Sequence, residues 1–256
     1  MSNLRRVEIL FEQELHRRGL SFRIDPESGR YVVPWDGLNL HIALDNLERT
    51  LTESHDESCV TEFADVVFKP REVLSWQTAS ESVFELLESN DHPEAPPFRS
   101  SISQRLDRVL ALWEGGGTAR WVFPGMLEEW GVDLEAVRSA ARRNLASTLA
   151  DAAIGWKDYQ GARLGYFGTL LPCKAALMMA ANLKQIAAPA LGWPLLAVIP
   201  AQDFLLLWDA SRRDLIRELG AVVVSQFTQS AYPLTTEVFE ISDQGISAIG
   251  DFPTSG

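Results

Sequence analysis

The 256-residue chain carries 35 acidic and 23 basic residues, for a formal charge of −12, and 46% of it is hydrophobic, including eight tryptophans. That balance supplies a core and excludes a disordered polyanion, and its sign disfavours nonspecific binding to phosphate backbones. The two cysteines, Cys59 and Cys173, stand in different segments, which excludes a disulfide framework and a Cys-x-x-Cys pair.

In chain order, Leu4, Val7, Phe11 and Leu15 make one face of an opening helix that Gly19 stops. This charged, amphipathic start is unlike a signal peptide. Strands are expected over 21–25 and 30–34 around the turn residues 25–29, with a third over Leu38–Ile42. Asp45 with Glu48 resembles a capping box that starts a helix through Leu47 and Leu51. Further helices are expected over Cys59–Phe68 and Ser80–Ser89. The stretch Asn90–Ser103, NDHPEAPPFRSSIS, holds three prolines and reads as a linker. Two α+β halves follow: a domain over 1–92, a linker over 93–103, a domain over 104–250 and a tail over 251–256.

In the second half, Leu106–Trp113 and Ala119–Phe123 read as strands joined across Gly115-Gly116-Gly117. A short helix is expected at Met126–Trp130, and Asp133 caps a strong one whose face is Leu134, Val137, Ala141, Leu145 and Leu149. Ala152–Lys157 and Arg163–Phe167 form a hairpin. Pro172 suits the first turn of a long helix through Leu177, Ala180, Leu183 and Ile186. Leu195–Ile199 and Phe204–Trp208 are strands too closely joined for a parallel crossover. Ser211 and Asp214 open the last helix, with Leu215, Leu219, Val222 and Val223 near its apolar face. Glu237–Ile241 and Ile246–Ile249 close the chain as a hairpin. The expected fold is α+β, with mixed or antiparallel sheets and packed helices. No stretch reaches the roughly 20 apolar residues of a membrane helix, and a cytoplasmic location is expected.

Chemistry is sparse. The triple glycine lacks the lysine of a phosphate-binding loop, and GxGxxG, GxSxG and HExxH are missing. The histidines, His16, His41, His55 and His92, show no metal-like spacing. The mixed cluster Glu53, His55, Asp56, Glu57 and Cys59 reads as a solvated segment, and no metal or cofactor is expected. Cys173, after Pro172 at a helix start, has no histidine in its own half to activate it. Asp203 and Asp209, on one strand, stand roughly 20 Å apart, too far for a catalytic pair. The basic pieces Arg5-Arg6, His16-Arg17-Arg18 and Arg142-Arg143 read as solvated helix faces. LDNLERTL (44–51) and RRNLASTL (142–149) share Asn-Leu-x-x-Thr-Leu, a short internal echo.

Three ordered segments carry a resemblance. Leu134–Leu149 with its Arg-Asn-Leu, Leu191-Gly-Trp-Pro-Leu-Leu-Ala-Val-Ile-Pro-Ala-Gln-Asp203 and Tyr232-Pro-Leu-Thr-Thr-Glu-Val-Phe239 resemble the YtpQ-like family of uncharacterised bacterial proteins. Leu44-Asp-Asn-Leu47 is similar to the N-terminal part of that family. The resemblance implies a bacterial cytosolic protein and supplies no catalytic residues. The family pattern often places an arginine before the aspartate, where this chain has Gln202, so an anion site built on that charge is not implied. The leading expectation is a non-catalytic protein-binding module, an adaptor or neutraliser, with a basic protein partner and no nucleic acid. The alternative is an unrecognised enzyme or small-ligand binder where the halves meet around Asp203. There Gln202, Asn144 and Trp193 supply the remaining groups.

Overall fold

The computed structural model describes residues 3–26, 29–35, 38–69, 74–91, 95–115, 118–169, 174–230 and 232–253. The chain divides into two compact units, Met1–Val73 and Leu74–Gly256. Both are α+β, with every strand pairing antiparallel.

The first unit runs α1 (Asn3–Arg17), β1 (Arg23–Ile24), β2 (Tyr31–Trp35), β3 (Leu38–Ile42), α2 (Asp45–Ser54) and α3 (Ser58–Val67), with its strands in the order β1-β2-β3. Val7, Phe11 and Leu15, at helical spacing on α1, are fully buried against Tyr31, Val33, Leu51 and Ala64. Leu4, expected on the same face, is 40% exposed at the helix start. Gly19 ends this segment at φ 71°, a left-handed geometry that costs glycine little. Buried Glu14 accepts from Arg17 and Arg18, and Arg18 reaches on to Asp65 of α3. The hydrogen bonds from Arg17, then Arg18, pull the Glu14 carboxyl down to about 2. Arg5 pairs with Glu8 and Arg6 with Glu57, so these N-terminal basic residues serve local ion pairs.

The second unit begins with α4 (Trp76–Ser82), which passes into β4 (Val83–Ser89) without a loop. Val83 is both the helix cap, its N–H donating to Ala79 O, and the first strand residue, at φ −84° and ψ 137°. Then come β5 (Ser100–Ser101), β6 (Leu106–Gly115), β7 (Thr118–Trp121), α5 (Pro124–Trp130) and α6 (Leu134–Asp151). β8 (Ala153–Tyr159) and β9 (Ala162–Gly168) form the expected hairpin, followed by a 3-10 helix (Lys174–Met179) and α7 (Leu183–Leu191). The chain finishes with β10 (Leu195–Val198), β11 (Leu206–Asp209), α8 (Asp214–Gln229), β12 (Glu237–Ser242) and β13 (Gly245–Asp251). β6 is flanked by β4, β5 and β7, while a six-stranded sheet has the order β13-β12-β10-β11-β9-β8.

Two-faced burial explains the uniformly apolar strands. In β10, Leu195 and Ala197 join a core with Phe84, Leu86, Leu145 and Phe239. Leu196 and Val198 face the opposite way and pack with Leu215, Leu219 and Val223 of α8. A third cluster holds Val83, Leu110 and Leu112 against Trp130, Val137 and Ala141. Asp133 caps α6 by accepting from Ala136 N at 2.8 Å, as its position predicts.

Several expectations are corrected. Ser80–Ser89 is the end of α4 followed by a strand, because β4 pairs with β6 along its whole length, from Val83↔Leu112 to Ser89↔Leu106. That pairing also moves the division between the halves to 73/74, since α4 and β4 belong to the second unit. The proline-rich stretch is no free linker. Ser100 and Ser101 pair with Arg108 and Asp107, and Ser103 Oγ donates to Glu237 Oε2 at 2.6 Å. The long helix from Pro172 is instead a 3-10 helix and α7, broken between Met179 and Leu183; Pro172 itself lies outside the described residues. Val222 is 47% exposed, so the buried face of α8 is Leu215, Leu219 and Val223.

Candidate functional site

The four candidate residues all lie in the second unit, and three have structural partners. Asn144 projects from α6 and donates through Nδ2 to Ser80 O at 2.9 Å and Val83 O at 2.8 Å. It therefore clamps the helix-to-strand passage, satisfying carbonyls that the end of α4 leaves open. Its counterpart in the internal echo, the Asn46 side chain, lies outside the described residues.

Trp193 follows α7 and precedes a cis bond to Pro194. Its indole N–H donates to Asp243 Oδ1 at 3.1 Å, and Lys184 Nζ lies 5.4 Å from its ring centroid. Lys184 also donates to both Asp243 oxygens, at 2.7 and 2.9 Å. This cluster ties α7 to the turn between β12 and β13.

Gln202 and Asp203 stand in the turn between β10 and β11, closed by Phe204 N–H donating to Ala201 O at 3.1 Å. Asp203 is exposed. Gln202 turns inward, and its Nε2 lies 3.4 and 3.5 Å from the two carboxylate oxygens of Glu88 on β4. The Trp121 indole of β7 is a second donor to Glu88. Burial raises the Glu88 carboxyl to about 7, outweighing the lowering by Trp121 and Gln202, so this group is partly protonated at neutral pH.

The neighbouring acids are differently placed. Glu85 faces Arg108 and Arg142, at 3.7 and 3.3 Å. Asp107 lies 3.6 Å from Arg99, and buried Glu237 accepts from the Ser103 and Thr235 hydroxyls. Among the described residues, Glu88 has no ion pair with Lys, Arg or His.

The structure brings Gln202 to Glu88. Among the described residues, no hydrogen bond links Asn144, Trp193 or Asp203 to that pair. Sequence reasoning passed over Glu88 because a helix over 80–89 puts Glu81, Glu85 and Glu88 on one polar face. In a strand, residues three apart point to opposite faces, so Glu85 and Glu88 cannot share one solvated side. That alternation was the available signal. A shallow groove of about 650 Å³ between α6 and α7, lined by Ala146, Asn182, Lys184, Gln185, Ala188 and Pro189, contains none of the four candidates.

Among the described residues, no three His, Cys, Asp or Glu side chains gather as metal ligands. Within the mixed segment around His55, Asp56 accepts from Ser58 N at 2.9 Å and Glu57 pairs with Arg6. Cys173 and His92 lie outside the described residues. Arg142 meets Glu85 and Glu135, and Arg143 donates to Ser139. Asp209 accepts from Ser211 N at 2.7 Å, a turn role. Among the described residues, no helix is long and apolar enough to cross a membrane.

No family model matches the chain, and no curated protein or solved structure is similar to it.

Proposed function

We propose that this protein is a non-catalytic protein-binding module, an adaptor or neutraliser, that recognises a basic protein partner. The observation that carries the reading is the outer strand β13 of the six-stranded sheet. It is seven residues long, largely exposed, and uncharged from Gly245 through Gly250. Such an edge offers backbone donors and acceptors to an added strand. The opposite edge strand, β8, carries Lys157 and Asp158, charges that discourage such pairing. A net charge of −12 attracts a basic partner at long range and accelerates encounter.

The test is affinity purification of the full chain from its host at low salt, with Ser247→Lys in parallel. A stoichiometric basic protein, released by salt and lost in S247K, is the expected result. A partner retained equally by S247K would refute docking at this edge, and recovery of no protein partner would refute the module itself.

A second reading, an enzyme or small-ligand binder around Asp203, gains support from Glu88, whose carboxyl can exchange a proton near neutrality beside Gln202. It predicts a small molecule co-purifying with the chain and lost in Glu88→Gln. A preparation free of bound small molecules counts against it.

A further inference from the structure

We propose that the strand added to β13 is held by the backbone of Ile246 and Ala248, stops at the bulge beyond them, and presents one acidic side chain to Arg217 of α8. The inference rests on the docking at β13 proposed above and adds what the docked segment must look like. Within the hairpin, Ser242 pairs with Gly245 and Glu240 with Ser247, across a turn formed by Asp243 and Gln244. A turn that short closes on a pair that exchanges both backbone bonds, and such pairs alternate along the ladder with pairs that exchange none. Gly245 and Ser247 therefore bond to β12, while the N–H and C=O groups of Ile246 and Ala248 face outward. Among the described residues, β13 ends the sheet, so these outward groups are the ones an added strand can reach. The ladder then skips a place: Phe239 meets Ala248 and Val238 meets Gly250, leaving Ile249 as an extra residue. Such a bulge bends the strand and interrupts the outward row, which keeps the docked segment short.

The side-chain faces follow from the same register. Glu240 accepts from Arg213 beside the start of α8, so Ser247, its cross-strand partner, also faces α8. Ile246 lies opposite Ile241 and packs on the other side, with Phe239. At the far end of the strand, α8 comes close again: a Cβ on Gly220 would stand 3.0 Å from the Phe252 ring. Arg217 lies on the same side of the helix, one turn past Arg213 and just before Gly220. It therefore flanks the strand beyond Ser247, at the bulge end.

Charge decides the occupant. The acids of the hairpin are matched, Asp243 by Lys184, Glu240 by Arg213 and Asp251 by Arg105. Arg217 is exposed, and among the described residues no ion pair or hydrogen bond engages it. The flank of the edge thus offers an unmatched cation inside a protein of net charge −12. Long-range attraction selects a basic protein as a whole, whereas Arg217 selects an acid at one position of its docked strand, on the α8 face.

The experiment presents a phage-displayed library of random segments of about six residues, a typical strand length, to the full chain at low salt. The net charge favours basic segments as a class, so Asp or Glu fixed at one position among those enriched marks Arg217. Selection on Arg217→Glu should exchange that acid for Lys or Arg, and Arg217→Lys should keep it. A synthetic peptide of the enriched sequence should bind Arg217→Ala about two- to fivefold more weakly, the size of an exposed ion pair. On the wild-type chain it should slow amide hydrogen exchange at Ile246 and Ala248 far more than at Ser247, whose N–H is already bonded. Enriched segments with no fixed acid, or the same acid selected on Arg217→Glu, would overturn the role of Arg217 and leave docking at β13 standing. No enrichment, or a bound peptide that leaves Ile246 and Ala248 exchanging as before, would overturn docking at β13 itself and this inference with it.

Discussion

Single side chains in this protein do the work of missing loops and missing charges. Asn144 holds two carbonyls where α4 becomes β4, so Asn144→Ala leaves both without their donor. Its expected cost is about 2 kcal/mol, read from urea unfolding, and Asn144→Asp should cost more because it replaces a donor with a third acceptor. Glu88 and Glu14 respond to pH in opposite senses. The folded Glu88 value of about 7 exceeds its ordinary 4.5, so the folded state binds the extra proton. Stability should therefore fall as pH rises between those values, by up to about 1.4 kcal/mol per unit, and Glu88→Gln should abolish that slope in thermal or urea melts. Glu14, held down to about 2, contributes stability that is present above its ordinary value of 4.5 and lost as pH falls through the folded value. Glu14→Gln should remove about 2 kcal/mol near neutrality and flatten the acid limb of the unfolding profile.

Among the elements, what was legible in the sequence was what a single period could specify. The α1 and α6 stripes, the Asp133 cap and the β8–β9 and β12–β13 hairpins all follow from local spacing and turn residues. Residues 83–89 were not legible because VFELLES satisfies both a helical and a strand pattern, and only pairing with β6 decides between them. The same ambiguity hid Glu88, whose carboxylate lies against the Gln202 amide. The 3-10 helix at Lys174–Met179 was missed for a related reason: its apolar residues, buried from Ala175 through Met178, carry no clear period. The β8–β9 hairpin adds a constraint that spacing alone does not reveal. Gly165 sits under the Trp156 ring, and a Cβ there would stand 2.7 Å from the indole and 3.0 Å from Leu191. Gly165→Ala should therefore cost about 1–3 kcal/mol through overpacking, measurable by thermal unfolding. Gly155→Ala should cost less, because the Tyr166 ring it meets is 49% exposed and can swing outward.

Over the whole molecule, the unit Leu74–Gly256 contains three hydrophobic clusters of its own, drawn entirely from its own residues. Expressed alone, it should fold cooperatively and keep the hydrogen exchange pattern it has in the full chain. A broad, non-cooperative melt would show that the first unit is required. The sequence pointed to two bodies but marked the boundary at the prolines, where composition changes, rather than at 73/74, where contacts divide. The abrupt passage from Ser82 to Val83 also limits how this chain can change in length. Removing one residue there turns everything before it by about 100° around the helix axis, while it turns everything after it by half a revolution about the strand. No single compensating rotation restores both the bonds of Asn144 to Ser80 and Val83 and the match of Val83 to Leu112. Natural variants of this protein should therefore drift in residue identity at this junction while holding its residue count fixed.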